Sequence, residues 1–301
     1  MGKLSRALRF LRKKILGFDP IKIIEIDGKI DSLDFLVKYG MDIRRMPEAT
    51  GFMRLIQKAD STLLQRLTHV LNDVGLMYWL DGGTLLGAVR HQGFIPWDDD
   101  VDIGMPREDF NKVSDILQKA FPAPEFSSVR SDCIRLILKG TPCQIDIFPY
   151  DEFNVESLEP NCLSALRTEL MAIHKREFVL DGAHLYTDGM LIRNKTQEEI
   201  DAEVRHSKEN RKGANVVMCY GVEVPTMVRA IIPKAEMLPV STVRFEGVDF
   251  NAPANPDYYL MAVYGDYMAF PRKLYLHDDI KSRMNTTSVP IMLNFMNRHA
   301  C

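Results

Sequence analysis

One short segment constrains this chain more than any other, because it places four carboxylates among apolar side chains. The segment FIPWDDDVDIGMPRE covers residues 94–108 and contains Asp98, Asp99, Asp100 and Asp102. Two unit charges about 4 Å apart repel each other by roughly 4 kcal/mol at the effective dielectric of a protein surface. Such a cluster is therefore stable only in contact with water or around a bound cation.

From residue 99 onward the segment alternates acidic and apolar side chains, which is the period of a β-strand. This period places Asp100 and Asp102 on one face of the strand, with Val101 and Ile103 on the other. Asp99 also falls on the face opposite Asp100, where we expect it to make a structural hydrogen bond. A calcium-binding loop does not fit, since Ile103 occupies the position that requires glycine. Paired carboxylates on a strand instead indicate a Mg²⁺ site.

A glycine turn comes shortly before the acidic segment. Residues 78–93, YWLDGGTLLGAVRHQG, predict a strand from Met77 to Leu80, a turn at the glycine pair and a short helix through Arg90. Thr84 is a good helix-capping residue, so we expect it at the N-terminus of this helix. A glycine turn that opens a helix near paired carboxylates matches the way enzymes hold Mg²⁺ against phosphate oxygens.

A third carboxylate falls on a later predicted strand. The segments IRLILKG and CQIDIFPY are separated by Gly140, Thr141 and Pro142, and they predict two paired strands that place Asp146 between two isoleucines. If the second strand lies beside the first acidic strand, Asp146 faces the same point. Three converging acids would raise one another's pKa unless a metal or an arginine neutralised them.

Helical periodicity flanks these strands on both sides. Apolar residues recur with the helical period over residues 53–75, before a glycine, and again after Pro106, which suits the first turn of a helix. Together the patterns predict a domain that contains both strands and helices. We place this domain at residues 51–285, with a helical insertion at 152–235, a basic segment at 1–50 and a C-terminal tail at 286–301.

Composition limits the classes of partner. The chain has 301 residues and a net charge of −3, so it has no general attraction for nucleic acid. Its five cysteines form no C-x-x-C pair, which favours reduced thiols in a cytoplasmic protein. Residues 3–16 form a basic amphipathic helix by pattern. Two interpretations of this helix stay open: a peripheral anchor on an anionic membrane, or a helix that docks on its own protein.

The quoted segments also carry a family resemblance. Residues 78–110 resemble the signature of the LicD phosphocholine-transferase family, whose relatives include fukutin and the fukutin-related protein. The resemblance recurs in QIDIFPYD at 144–151 and in YLMAVYGDYMAFP at 259–271. It implies a nucleotidyltransferase-like fold of the α/β (α+β) class, with a mixed sheet flanked by helices. Four further positions match the family without a role that we can derive from the sequence: Tyr264, Asp266, Tyr267 and His277.

The resemblance implies roles for eight named positions. Asp100, Asp102 and Asp146 would be catalytic and would bind Mg²⁺ or Mn²⁺, with Asp146 either completing the metal site or accepting a proton from the acceptor hydroxyl. The residues that would bind substrate phosphate are Gly82, Gly83, Thr84, Arg90 and His91. Two plainer alternatives stay open, in which Arg90 pairs with Asp98 or Asp99 and His91 is a structural hydrogen-bonding residue.

The reaction implied is transfer of a phospho-alcohol, such as phosphocholine, from a CDP-linked donor to a glycan or a lipid-linked saccharide, with release of CMP. Two other functions are alternatives for a protein with this fold. A nucleotidyltransferase would act on a nucleoside triphosphate and release pyrophosphate. A noncatalytic binding protein would usually lack one of the three carboxylates, and all three are present here.

Overall fold

The computed structural model describes residues 42–130, 133–178, 186–187, 190–191, 197–209, 211–224, 230–269 and 287–299. The predicted amphipathic helix at residues 3–16 and His277 lie outside these residues. Within the described ranges, no helix combines the length and the apolar character needed to cross a bilayer. Cysteines 133, 143, 162 and 219 are free thiols.

Helices and strands alternate along most of the described chain. The helices are α1 (Gly51–Asp73), α2 (Gly82–His91), α3 (Arg107–Ala120), α4 (Pro160–Phe178), α5 (Gln197–Glu209), α6 (Lys234–Met237), α7 (Pro256–Tyr264) and α8 (Ser288–His299). The strands are β1 (Trp79–Leu80), β2 (Val101–Pro106), β3 (Phe126–Arg130), β4 (Ile134–Leu138), β5 (Gln144–Val155), β6 (Tyr186–Thr187), β7 (Met190–Leu191), β8 (Asn215–Tyr220), β9 (Ile232–Pro233), β10 (Ser241–Phe245) and β11 (Val248–Ala252).

A mixed sheet of seven strands forms the centre of the molecule. Its main path runs β1-β2-β5-β4-β3, and β8 and β9 extend it from β5. Strands β2 and β5 are parallel, whereas the other neighbours in the sheet are antiparallel. The mixed sheet flanked by helices is the architecture predicted from the sequence.

The predicted helix over residues 53–75 is confirmed as α1. Its apolar side is fully buried at Ile56, Leu63 and Leu67, because residues three and four apart share one face of a helix. The helix ends just before Gly75, whose φ of 71° lies in the left-handed region that terminates helices. The predicted strand at 77–80 is shorter than expected, since only Trp79 and Leu80 pair with β2.

The predicted helical insertion at 152–235 is only partly helical. Helices α4 and α5 lie in this region, but β5 continues to Val155 and β8 pairs along it, with Tyr150 opposite Tyr220. Strand β8 reads NVVMCY, a short apolar run. Such runs do not reveal by periodicity whether they form a strand or a buried helix. Its side chains pack with α4 in a second apolar cluster.

The predicted tail at 286–301 and the predicted basic segment at 1–50 contribute residues to the main core where they are described. Helix α8 packs on α1 and buries Met292 and Phe295 in the main core. At the other end, Ile43, Met46 and Ala49 are buried, and the first two belong to the same core. Both segments carry isolated apolar residues whose partners are distant in sequence, and sequence periodicity does not reveal those partners.

Candidate active site

Strands β2 and β5 bring the three predicted metal-binding carboxylates together. Asp102 lies directly opposite Asp146 in the parallel register of the two strands. Asp100 comes immediately before β2, and one carboxylate oxygen from each of the three residues lies within 4.8 Å of the others. The alternation that buries Val101 and Ile103 in the core therefore turns Asp102 toward Asp146.

The neighbouring aspartates converge as well, which differs from the sequence-based interpretation. One carboxylate oxygen from each of Asp98, Asp99 and Asp100 also lies within 4.8 Å of the others. Asp99 is therefore not separated from Asp100 by the sheet. The physical reason is that β2 begins only at Val101, so the alternation of a strand does not apply to the three residues before it.

The glycine pair is packed against two of these carboxylates. A Cβ atom on Gly82 would lie 2.6 Å from Asp102 Oδ2, and a Cβ on Gly83 would lie 2.7 Å from Asp98 Oδ2. Gly82 also has a φ of 47°, which favours glycine. The turn thus requires glycine so that carboxylates can approach the backbone.

Thr84 does not cap helix α2, contrary to the prediction. The N-cap residue is Asp81, and Thr84 lies inside the first turn. The Thr84 hydroxyl instead accepts a hydrogen bond of 2.8 Å from the backbone N–H of Asp102. Its bond joins the start of α2 to the acidic strand, an interaction between distant segments that a local capping rule does not consider.

A buried carboxylate, which we did not predict, lies beneath the glycine turn. Asp81 is fully buried and accepts hydrogen bonds from the hydroxyls of Tyr150, at 2.9 Å, and Tyr259. The Tyr259 hydroxyl also accepts the N–H of Gly82 at 3.3 Å. Burial raises the pKa of Asp81, and the hydroxyls of Tyr259, Tyr220 and Tyr150 offset part of that rise. The sequence did contain a signal for this residue, because Asp81 directly follows the apolar residues of strand β1.

Arg135 is a second site residue that sequence reasoning missed. It faces Asp146 across the antiparallel β4–β5 pair, and its Nε and Nη2 each donate a 2.6 Å hydrogen bond to one oxygen of that carboxylate. A bidentate pair fixes the orientation of both groups. The signal in the sequence was an arginine inside the apolar strand IRLIL, opposite Asp146 in the predicted hairpin.

Arg90 is nearly buried near the end of α2, with 7% of its surface exposed. Its Nε donates to His91 Nε2 at 3.0 Å, and its Nη1 donates to the carbonyl oxygen of Tyr267 at 3.0 Å. Both of these hydrogen-bond partners are uncharged, while the carboxylate of Asp98 acts on the guanidinium electrostatically. The side chain is a buried cation anchored by uncharged groups.

Burial changes the proton affinity of this arginine and of its neighbour. It lowers the pKa of Arg90 to about 10, and the negative charges of Tyr264, once its phenol is ionised, and of Asp98 offset part of that effect. Burial and the charge of Arg90 lower the pKa of His91 to about 4. The imidazole is therefore neutral near pH 7, and it carries its proton on Nδ1 because Nε2 accepts from Arg90.

The donor set fits a hard divalent cation. Carboxylate oxygens are the ligands that Mg²⁺ and Mn²⁺ prefer, and both acidic groups contain only aspartates. Burial raises the pKa of Asp102 well above its usual range, and the charges of Asp100, Asp146 and Asp98 raise it further. A cation would relieve this repulsion and displace the proton. Asp100, Asp102 and Asp146 are the residues that would hold it.

Comparisons with known proteins match the part of the chain that contains the three carboxylates. Residues 75–178 match the family model described as LicD/FKTN/FKRP, nucleotidyltransferase domain. The chain is 54% identical over 41 residues to the lipopolysaccharide cholinephosphotransferase LicD of Haemophilus influenzae, which is 14% of this chain and 16% of that protein. It is 60% identical over 40 residues to the ribitol 5-phosphate transferase FKRP of Homo sapiens, 13% of this chain and 8% of that protein.

An uncharacterised protein of Rickettsia prowazekii is 53% identical over 55 residues, which is 18% of this chain and 21% of that protein. The alignments therefore span about a fifth or less of the length of these relatives.

Proposed function

Through residues 75–178 the chain belongs to the LicD/FKTN/FKRP nucleotidyltransferase-domain family, and from this premise we propose that it is a metal-dependent phosphotransferase. The proposed reaction transfers a phospho-alcohol group, phosphocholine or a similar group, from a CDP-linked donor to a hydroxyl of a glycan or glycolipid precursor. Two of the relatives named above transfer choline phosphate and ribitol 5-phosphate by name.

One observation carries the proposal. Asp102 and Asp146 lie in register on neighbouring parallel strands, beside Asp100 and a glycine turn that opens helix α2. The start of a helix favours anions, because its free N–H groups and its dipole point toward them. The site thus combines ligands for a divalent cation with groups that favour phosphate, which is the combination that phosphoryl transfer requires.

In the proposed reaction, an acceptor oxygen attacks the donor phosphorus that carries the alcohol. A new P–O bond to the acceptor forms, the P–O bond to the CMP phosphate breaks, and CMP leaves. The acceptor proton passes to a carboxylate of the site, and Asp146 is the sequence-based candidate for this role as the alternative to completing the metal site. The bidentate contact with Arg135 holds this carboxylate in a fixed orientation.

Each remaining residue has a binding role. Bound Mg²⁺ or Mn²⁺ would supply positive charge to the phosphoryl oxygens. Arg90 would contribute a second positive charge, since its two hydrogen-bond partners are uncharged, and its planar guanidinium matches phosphate oxygens. Neutral His91 would orient Arg90 through its Nε2. Gly82, Gly83 and Thr84 would place the first turn of α2 near the diphosphate.

We place the reaction at the cytoplasmic face of a membrane, where the acceptor would be a lipid-linked saccharide of a surface polysaccharide or lipopolysaccharide. Residues 3–16 would contact that membrane through their basic amphipathic pattern. The net charge of −3 argues against nucleic acid as a partner.

The test is product identification with purified protein. The protein is incubated with Mg²⁺ or Mn²⁺, a panel of CDP-alcohols and nucleoside triphosphates, and a glycolipid extract as acceptor, and the nucleotide products are separated. We expect CMP from at least one CDP-alcohol and dependence on the divalent cation. Pyrophosphate from a nucleoside triphosphate, without CMP, would replace the proposal with the nucleotidyltransferase alternative.

The variant Asp102→Asn tests the proposed metal site in the same assay. We expect CMP release to fall by about 100-fold or more, the scale for removing one group that stabilises charge in the transition state. Asp115→Asn, at an exposed position on α3, is the control and should retain wild-type activity. Equal activity of the two variants would contradict the assignment of Asp102 to the metal.

A further inference from the structure

One motif of the sequence has no role in the reaction described above, namely the YGDY turn at residues 264–267. In the structure this turn follows α7 and reaches α2. The carbonyl oxygen of Tyr267 accepts the 3.0 Å hydrogen bond from Nη1 of Arg90. The phenol of the same residue donates a hydrogen bond to Asp257 in the first turn of α7. Tyr267 thus links α7 to the buried arginine.

The two groups that accept hydrogen bonds from Arg90 are both uncharged. A carbonyl oxygen and a neutral imidazole nitrogen fix the guanidinium without adding a negative charge. A carboxylate in either place would hold Arg90 equally well but would neutralise it. The observed anchors therefore orient the cation without neutralising it, and Asp98 acts on it only electrostatically in the contacts described above.

The anchoring carbonyl is itself held in place. Tyr267 is mostly buried, with 8% of its surface exposed, and its N–H donates to the carbonyl of Gly265 at 2.7 Å. The phenol–Asp257 contact ties the other end of the residue to α7, and α7 packs on α2. Loss of the phenol hydroxyl would free the turn while leaving the carbonyl chemically intact.

We infer that Tyr267 and Asp257 are positioning residues, which hold the Arg90 guanidinium where it meets the diphosphate of the nucleotide donor. The inference rests on the proposed function for the identity of that anion. It gives the YGDY turn a specific purpose: the turn acts on donor binding through Arg90, and it takes no part in the bond-making step.

The main variant is Tyr267→Phe in the full-length protein, because it removes one hydroxyl and keeps the ring and the carbonyl. The affinity for inorganic pyrophosphate with Mg²⁺ is measured by calorimetry, and kcat and KM are measured for the CDP-alcohol that yields CMP. We expect pyrophosphate affinity to fall and KM to rise by about three- to tenfold, the scale of one lost hydrogen bond. The value of kcat should change less than twofold, because the contact acts on ground state and transition state alike.

A double-mutant cycle separates positioning from general loosening. In an Arg90→Met background, Tyr267→Phe should cause no further loss, since the group through which it acts is gone. Asp257→Ala, which removes the acceptor of the Tyr267 hydroxyl, should reproduce the Tyr267→Phe effect from the other side of the contact. Tyr258→Phe is the matched control on the same helix: its side chain is 40% exposed, and pyrophosphate affinity should equal that of the wild type.

The outcomes separate this inference from the proposed function. If no CDP-alcohol yields CMP but pyrophosphate binding shows the same non-additive pattern, the proposed function fails and the positioning role stands. Additive losses in the cycle, unchanged affinity in Tyr267→Phe, or a wild type that does not bind pyrophosphate would each overturn the inference. Unfolding temperatures of all variants show whether a loss of affinity comes from a loss of folded protein.

Discussion

At Gly82 two requirements coincide in one residue. Its φ of 47° is a conformation in which side chains are strained, and the space that a Cβ would fill contains Asp102 Oδ2 at 2.6 Å. The first requirement concerns the stability of the turn, whereas the second concerns the position of a proposed metal ligand. Comparing a substitution that adds only backbone strain with one that also displaces Asp102 shows whether activity depends on the turn or on the carboxylate position.

Gly82→Ala should therefore alter both stability and metal dependence. Backbone strain should lower the free energy of unfolding by about 1–2 kcal/mol, and displacement of Asp102 should raise the Mg²⁺ concentration needed for half-maximal activity. Gly75→Ala is the matched control, because its φ is 71° and no atom lies within 4 Å of the added Cβ. If the control shifts the Mg²⁺ dependence as much as Gly82→Ala, carboxylate displacement is not the cause.

Asp60 illustrates how burial acts on a single carboxyl. It is fully buried in α1, and neither oxygen has a hydrogen-bond partner of normal geometry among the described residues. Burial raises its pKa well above the usual range, and the charges of Asp100 and Asp99 raise it further. The backbone N–H of Gln144 and the thiol of Cys143 lower it only in part. The carboxyl is thus driven toward its neutral form.

The sign of the resulting pH dependence follows from proton binding. A carboxyl with a raised pKa binds more protons in the folded protein than in the unfolded chain. Its contribution to stability is therefore present at low pH and is lost as pH rises through the folded-state pKa. We expect Asp60→Asn, which does not titrate, to gain stability relative to the wild type as pH rises.

Denaturant unfolding of both proteins from about pH 5 to about pH 8 measures this difference, which grows by at most about 1.4 kcal/mol per pH unit. A difference that stays constant over the range would contradict the assignment.

At the level of elements, the β10–β11 hairpin holds the loop that leads to the acidic strand. Glu246, in the hairpin turn, accepts hydrogen bonds from Arg54 of α1 at 2.8 and 2.9 Å and from the N–H of Phe94 at 3.3 Å. Its own N–H donates to the carbonyl of Gln92 at 3.0 Å. Gln57 of α1 donates to the carbonyl of Asp98 at 2.9 Å. Two elements thus fix the path of residues 92–98.

Glu246→Gln should weaken this attachment without removing the hairpin. It replaces a partly buried charged pair with a weaker neutral contact to Arg54. We expect a higher Mg²⁺ requirement, because the loop carries Asp98 and leads into Asp100. Asp249→Asn is the control in the same hairpin, since the Asp249–Arg244 pair has 60% of each side chain exposed. Activity titrated with Mg²⁺ should distinguish the two variants, and identical curves would exclude the proposed attachment.

The elements also show where sequence patterns fail. Helix α1 and strands β2, β4 and β5 follow clear periods, and the predictions of these elements were correct. Strand β8 was missed, because its apolar run has no distinctive period and its partner β5 is about 60 residues earlier. The prediction that Thr84 caps helix α2 was wrong. Its hydroxyl accepts a hydrogen bond from the N–H of Asp102, which is distant in the sequence, and not from a neighbouring backbone N–H.

At the scale of the whole molecule, residues near both ends of the described chain pack into the same hydrophobic core. Helix α8 packs on α1, and its Phe295 is fully buried with its ring 6.0 Å from that of Phe126 on β3. Residues near the C-terminus therefore stabilise the same core that supports the acidic strands. This arrangement packs the predicted tail onto the core of the proposed catalytic domain.

Phe295→Ala should lower the free energy of unfolding of the whole domain by about 3–5 kcal/mol, the range for deleting a buried phenylalanine ring. Leu293→Ala on the same helix is the control, because its side chain is 45% exposed and its loss should cost far less. Denaturant melts followed by tryptophan fluorescence report on the core through Trp79. A separate early transition for α8, without a shift of the main one, would show that the tail is independent.

The acidic strand, the glycine turn, the third carboxylate and the α/β class were predictable from the amino-acid sequence, because each depends on short periods and fixed spacings. Three contacts became visible only in the folded chain: Arg135 pairs with Asp146, tyrosines hold Asp81, and a carbonyl rather than an acid anchors Arg90. These contacts join residues that are distant in the chain or depend on strand register. Their geometry follows from the packing of whole elements, which no local pattern encodes.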